Sequence, residues 1–123
     1  MFMYAFERLE TWNLSIDLTV RIYEHTDQFP PKEQYGLSQQ VRRAAVSISS
    51  NLAEGSGRIS KKDQAHFFNI AYSSLMEVLN QLIIANKIGY LEAERLASMR
   101  ARIEMLSKKI AALRNHTLNY SLP

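Results

Sequence analysis

At 123 residues, with 46% hydrophobic and 22% charged residues, the chain is the size of one domain and can bury a core without disulfide or metal staples. It has no cysteine, which excludes a disulfide scaffold and thiolate metal sites, and its net charge is +3. The opening MFMYAFERLETW lacks the pattern of a signal peptide, and no apolar run approaches the ~20 residues of a membrane span, so a soluble cytoplasmic protein is expected.

Proline and glycine fall at three joints, FPPKEQYG, EGSGRIS and KIGYLEAE, with Pro123 the one exception. Between the joints lie four segments of helical periodicity. The first is predicted over about 6–29. Leu9, Trp12, Ile16, Val20 and Tyr23 form one stripe, and Leu14, Leu18 and Ile22 a second beside it. Pro30 and Pro31 end it, since proline supplies no backbone donor.

The second segment is predicted over about 37–55, with Leu37, Val41, Ala44, Ala45, Ile48 and Leu52 on one face and Gly55 as its left-handed C-terminal residue. The third, about 60–88, opens on Ser60, placed to cap it while Asp63 reaches back in a capping box. Phe68, Tyr72, Leu75, Leu79, Leu82 and Asn86 make a heptad seam, with Phe67, Ala71, Val78 and Ala85 as a second strip. The fourth, about 92–116, carries Leu96, Met99, Ile103, Leu106, Ile110 and Leu113 at spacings of three and four. Acidic residues open it and basic residues close it, as the helix dipole favours.

Four helices with short joints predict an all-α, antiparallel up-down-up-down four-helix bundle spanning 1–123 as one domain. The wide apolar faces of the first and third helices point to self-association; a deeply buried helix explains the same stripes.

Charge is segregated along the chain. Residues 1–35, 36–62, 63–94 and 95–123 carry −3, +4, −3 and +5. Within the second block, QQVRRAAVSISSNLAEGSGRIS combines a doubled arginine with a smooth run of small residues. A face of Ala, Ser and Gly allows close helix approach. Arg43, Ala44, Ala45, Ser47, Asn51, Glu54 and Gly55 are therefore candidate packing and interface residues. Arg43 or Arg58 is placed to pair with Glu54, which is costly to bury alone.

No nucleotide-binding loop, HExxH, GxSxG or paired CxxC motif occurs, so no enzyme activity and no cofactor are expected. Asp63 and His66 form a lone carboxylate-x-x-His pair. Di-iron bundles use that unit twice with further glutamates, so no metal site is expected here.

Phe29-Pro30, Tyr35-Gly36-Leu37, Gln40, Arg42 to Ala45, Ser47-Ile48, Asn51, Ala53-Glu54-Gly55, Arg58, Ser60 and Gly89-Tyr90-Leu91 form one long pattern. On these residues the chain resembles, over nearly its whole length, the four-helix-bundle proteins encoded in intervening sequences of bacterial large-subunit ribosomal RNA genes, also called S23-type. Tyr72 to Leu75 and Val78 depart from the family pattern. The resemblance implies a homopentameric ring. It also implies similarity to the accessory variability protein of diversity-generating retroelements, a basic pentamer that works with a reverse transcriptase and nucleic acid.

Two functions follow. One is a charge-driven nucleic-acid-binding oligomer, with RNA favoured over DNA, accessory to a ribonucleoprotein or a reverse transcriptase. Its candidate phosphate contacts are Arg42, Arg58, Lys61, Lys62, Arg95, Arg102 and Lys109. The last three recur every seven residues as a basic strip, which also serves as flanking charge in helix packing. Five copies of a +3 chain carry +15, enough to attract polyanions. Aromatic stacking platforms are not evident, so sequence-specific RNA reading is not expected. The other function is an oligomeric protein-interaction scaffold with no nucleic-acid role.

Overall fold

The computed structural model describes residues 1–120, with side chains through Asn119; Pro123 lies outside the described residues. A 3-10 turn at Ala5–Arg8 precedes α1 (Glu10–Thr26), and a second at Pro31–Glu33 leads into α2 (Leu37–Ser56). The chain continues as α3 (Lys61–Lys87) and α4 (Ala93–Tyr120). Each helix packs on its neighbours around a square, α1 on α2, α2 on α3, α3 on α4 and α4 on α1, with no close backbone approach across the diagonals among the described residues.

Cross-helix bonds fix the directions. Arg42 near the start of α2 reaches Asp27, just after α1. Arg95 near the start of α4 reaches Gln28, and Lys109 late in α4 reaches Glu10 at the start of α1. Ser47 and Ser74 meet midway along α2 and α3. The helices therefore alternate up and down.

The buried centre is apolar: Leu18 and Ile22 from α1, Val41, Ala45, Ile48 and Leu52 from α2, Leu75, Val78 and Leu82 from α3, and Met99, Ile103, Leu106 and Ile110 from α4. The α4 seam is the expected one, with Leu96 and Leu113 partly buried at its ends. In α3 the line of burial is rotated. Ala71, Val78 and Ala85 are fully buried, whereas Tyr72 and Leu79 sit at the margin. Small residues mark close helix approach, so Ala71 and Ala85 share the buried line with Leu75 and Leu82, while Tyr72 and Leu79 fall outside it.

Three expectations are corrected. The first helix does not begin at residue 6. Leu9 is extended (φ −73°, ψ 121°), and Asn13 donates to the Glu7 and Leu9 carbonyls, holding a separate 3-10 turn in place. Nor does α1 reach Phe29: Phe29 precedes Pro30, which disfavours helical backbone there, and it is buried against Tyr90 instead. Gly55 is not a left-handed cap. It is a buried residue inside α2, and a Cβ on it would lie 2.8 Å from the Phe68 ring and 2.9 Å from Phe67 Cβ. Its missing side chain admits the aromatic pair of α3. The left-handed glycine is Gly89 (φ 90°), after α3, where Tyr90 N–H turns back to the Ala85 carbonyl. At the start of α3, Ser60 Oγ accepts from Asp63 N–H at 3.0 Å, so the cap forms through Ser60 alone.

Candidate nucleic-acid interface

The smooth stretch of α2 faces inward. Ala44 and Ala45 are buried between α1 and α3, and Thr19 Oγ1 lies 3.4 Å from the Ala45 carbonyl. Asn51 Nδ2 donates to the Ser47 carbonyl (2.8 Å) and to Ser47 Oγ (3.0 Å), which meets Ser74 Oγ at 2.9 Å. Ser74 lies within one of the departures from the family pattern, and here it completes a polar tie between α2 and α3. Ala44, Ala45 and Gly55 are thus buried in the bundle, and Ser47 and Asn51 hydrogen-bond at its margin.

Glu54 remains exposed and takes Arg58 as its partner at 2.8 Å. Arg58 also lies over the Phe67 ring, 4.5 Å from its centre.

The candidate phosphate contacts do not form one surface. Arg42 and Arg95 lie at one end of the bundle, Arg58, Lys61 and Lys62 at the other. Fourteen residues of helix, about 21 Å, separate Arg42 from Ser56 at the end of α2, and Arg58 lies just beyond it. Arg95, Arg102 and Lys109 run along α4, with the outer two reaching α1. Several of these cations are already engaged. Arg42 Nη2 pairs with Asp27 at 2.8 Å, its Nε donates to Thr26 Oγ1 at 2.7 Å, and its guanidinium lies 4.5 Å from the Tyr23 ring centre. Lys109 pairs with Glu10 at 2.9 Å. Arg95 donates to Gln28 at 3.0 Å and approaches His25 Nδ1 at 3.4 Å. Arginine only donates, so a hydrogen bond here requires that His25 nitrogen to be the acceptor. Burial first, then the Arg95 charge, push His25 below its ordinary value. Lys61 and Lys62 lie exposed in the first turn of α3, while Arg102 is half-buried on α4.

Arg43 behaves differently from its neighbour. It is exposed and makes no ion pair among the described residues. It lines an open groove of about 550 Å³ with Tyr23, Tyr35, Arg42, Val46 and Ser50. Gln34, Gln39 and Ser47 complete the lining, and no carboxylate is among these residues. Tyr23 is 41% exposed and Tyr35 82%. Two tyrosines therefore reach the surface here that sequence periodicity did not reveal. Tyr23 falls on an apolar stripe and reads as core, and Tyr35 falls in a joint. The one available signal was the dense local sequence Tyr35 to Arg43, which places an aromatic seven residues before a doubled arginine.

No cluster of three or more His, Asp or Glu residues able to hold a metal occurs among the described residues. No helix among them is long and apolar enough to cross a membrane.

Residues 7–112 match the family model described as 23S rRNA-intervening sequence protein. A crystal structure of a protein of unknown function from the S23 ribosomal protein family of Bacteroides thetaiotaomicron shares the fold, with a TM-score of 0.76 at 21% identity over 85% of this chain and 97% of that one. No curated protein matches.

Proposed function

The chain belongs to the 23S rRNA-intervening sequence protein family, and from that premise we propose that it is a non-enzymatic, self-associating protein that binds nucleic acid by charge. Arg43 carries the reading: an exposed guanidinium with no carboxylate partner among the described residues, on a groove lined by no acidic residue. Lys62 supplies a further exposed cation at the other end of the bundle, and Arg102 a half-buried one on α4. RNA is the expected partner, and the role is accessory to a ribonucleoprotein or a reverse transcriptase, with no cofactor.

Self-association is supported by apolar side chains left outside the core. Val20 on α1 is 52% exposed, and Ile84 and Ile88 on α3 are 42% and 52% exposed. The two helices occupy diagonal corners of the square, on opposite sides of the molecule. Contact between α1 of one copy and α3 of the next is head-to-tail, the kind of contact that closes into a ring. Five copies is the number that the family resemblance implies. The same exposed apolar groups favour the second reading, a protein-interaction scaffold without a nucleic-acid role.

The test is fluorescence anisotropy with labelled single-stranded RNA and DNA across a range of salt. Binding is expected to weaken steeply with salt, because each neutralised phosphate contributes roughly −0.7 to the log–log slope. Arg43→Gln with Lys62→Gln should flatten that slope by up to about 1.4 without changing the melting temperature. Light scattering is expected at about five times the 14.2 kDa chain mass. No binding to either probe at low salt replaces this function with the scaffold.

A further inference from the structure

We infer that the groove beside α2 takes an unstacked nucleobase on the face of Tyr35, so that the protein prefers single-stranded to duplex nucleic acid. The inference rests on the nucleic-acid reading above and names the site and the form of the ligand.

Tyr35 is 82% exposed and makes no side-chain ring contact or hydrogen bond among the described residues. Its backbone is nevertheless held on both sides. Gly36 N–H donates to the Glu33 carbonyl at 2.9 Å, and Gln34 N–H to the Pro31 carbonyl at 3.1 Å. A large aromatic ring on a fixed backbone, facing water, exposes apolar area that a base would cover.

The opposite wall of the groove is also rigid. Tyr23 lies beneath the guanidinium of Arg42, which Asp27 and Thr26 hold in place. This ion pair keeps Arg42 in position as a flat wall and removes it as a mobile phosphate ligand. Arg43 provides the cation instead. Gln34 and Gln39 are exposed and make no side-chain hydrogen bond among the described residues, so their amides can meet the polar edge of a base.

The volume of about 550 Å³ lies within the usual range for small-molecule sites and accommodates one nucleotide. A planar ring, an adjacent free cation and uncommitted amides match a base together with its phosphate. A base paired in a duplex presents no free face to Tyr35, which is the physical source of the strand preference.

The experiment compares a fluorescein-labelled single-stranded RNA oligonucleotide, the same oligonucleotide as a duplex, and an abasic chain of equal length. The wild-type chain should bind the base-bearing single strand most tightly. Tyr35→Ala should weaken that binding roughly 5- to 150-fold, the usual range for one stacked base, and bring it down to the abasic level. Tyr35→Phe should retain it. The salt slope should be unchanged in both variants, because no phosphate contact is removed. Equal affinity of the wild type for abasic and base-bearing strands overturns the inference while leaving charge-driven binding intact. So does an unchanged affinity in Tyr35→Ala. Absence of binding by the wild type overturns both.

Discussion

The Tyr90 hydroxyl donates to Glu33 Oε2 at 2.9 Å, joining the corner before α4 to the joint before α2. The other carboxylate oxygen of Glu33 accepts from Leu37 N–H at 3.1 Å, at the first position of α2. Gly36 leaves room for this, since a Cβ there would lie 2.6 Å from Glu33 Oε1. One carboxylate thus caps a helix and receives a side chain fifty-seven positions away.

The Leu37 backbone donor first, then the Tyr90 hydroxyl, hold Glu33 below its ordinary 4.5. A carboxyl with a lowered folded value stabilises the fold above the unfolded value and loses that contribution as pH falls through the folded one. Tyr90→Phe retains the ring contact with Phe29 and removes only the hydroxyl. It should lower the urea midpoint at pH 7, and the difference from wild type should vanish in acid as Glu33 protonates. A difference that persists undiminished in acid would show that the hydroxyl contributes independently of the Glu33 charge.

Gly55→Ala should destabilise the bundle despite the higher helix propensity of alanine. The added Cβ meets Phe68 at 2.8 Å and Phe67 at 2.9 Å, and overpacking costs roughly 1–3 kcal/mol against a propensity gain of up to about 1 kcal/mol. Gly57→Ala is the control. Its nearest neighbours are carbonyl oxygens at 3.6 and 3.9 Å, and its φ of −92° suits any residue. Thermal melts in which both variants match the wild type would mean that α3 moves away from α2 at little cost.

Gln81 is buried in α3, and its Oε1 has no hydrogen-bond partner among the described residues. A buried acceptor left unpaired costs about 1–3 kcal/mol, and methionine fills a similar volume without it. Gln81→Met should raise stability by roughly 1 kcal/mol in denaturant titration. An unchanged or lower midpoint would indicate that the oxygen is satisfied in solution.

His25 should titrate below 6.5, owing first to burial and second to Arg95. Glu24 acts in the opposite direction, and Arg21 adds to the lowering. Folding favours the neutral ring. The associated stability is present above 6.5 and falls away as pH drops through the lowered folded value. Arg95→Gln should move the His25 midpoint, followed by NMR, part of the way back toward 6.5, because burial remains. A full return would make Arg95 the whole cause, and no movement would remove it as one.

Much of the fold was legible in residue order. Helical spacing in α4 placed Met99, Ile103, Leu106 and Ile110 at the centre, where they are buried. The alternation of Val41, Ala44, Ala45, Ile48 and Leu52 placed the inner face of α2 correctly. Glu54 and Arg58 are four apart on one helix, so their ion pair is a local property. The family itself is written in a motif contiguous enough to be read directly.

Tertiary structure alone decided which cations are neutralised. Arg42 finds Asp27, and Lys109 finds Glu10, only when α1 lies beside α2 and α4 in one register and one rotation. Periodicity determines the apolar face of a helix but not which polar neighbour stands at its edge, because that depends on how two helices are turned about their own axes. For the same reason Gly55 reads as a terminator in sequence and is a close-packing site in the fold. Tyr23 likewise reads as core and becomes the wall of a groove. The sequence by itself determined four helices, their inner faces and the family; only the packed bundle placed Arg43 and Tyr35 on one surface, without an ion pair or ring contact among the described residues.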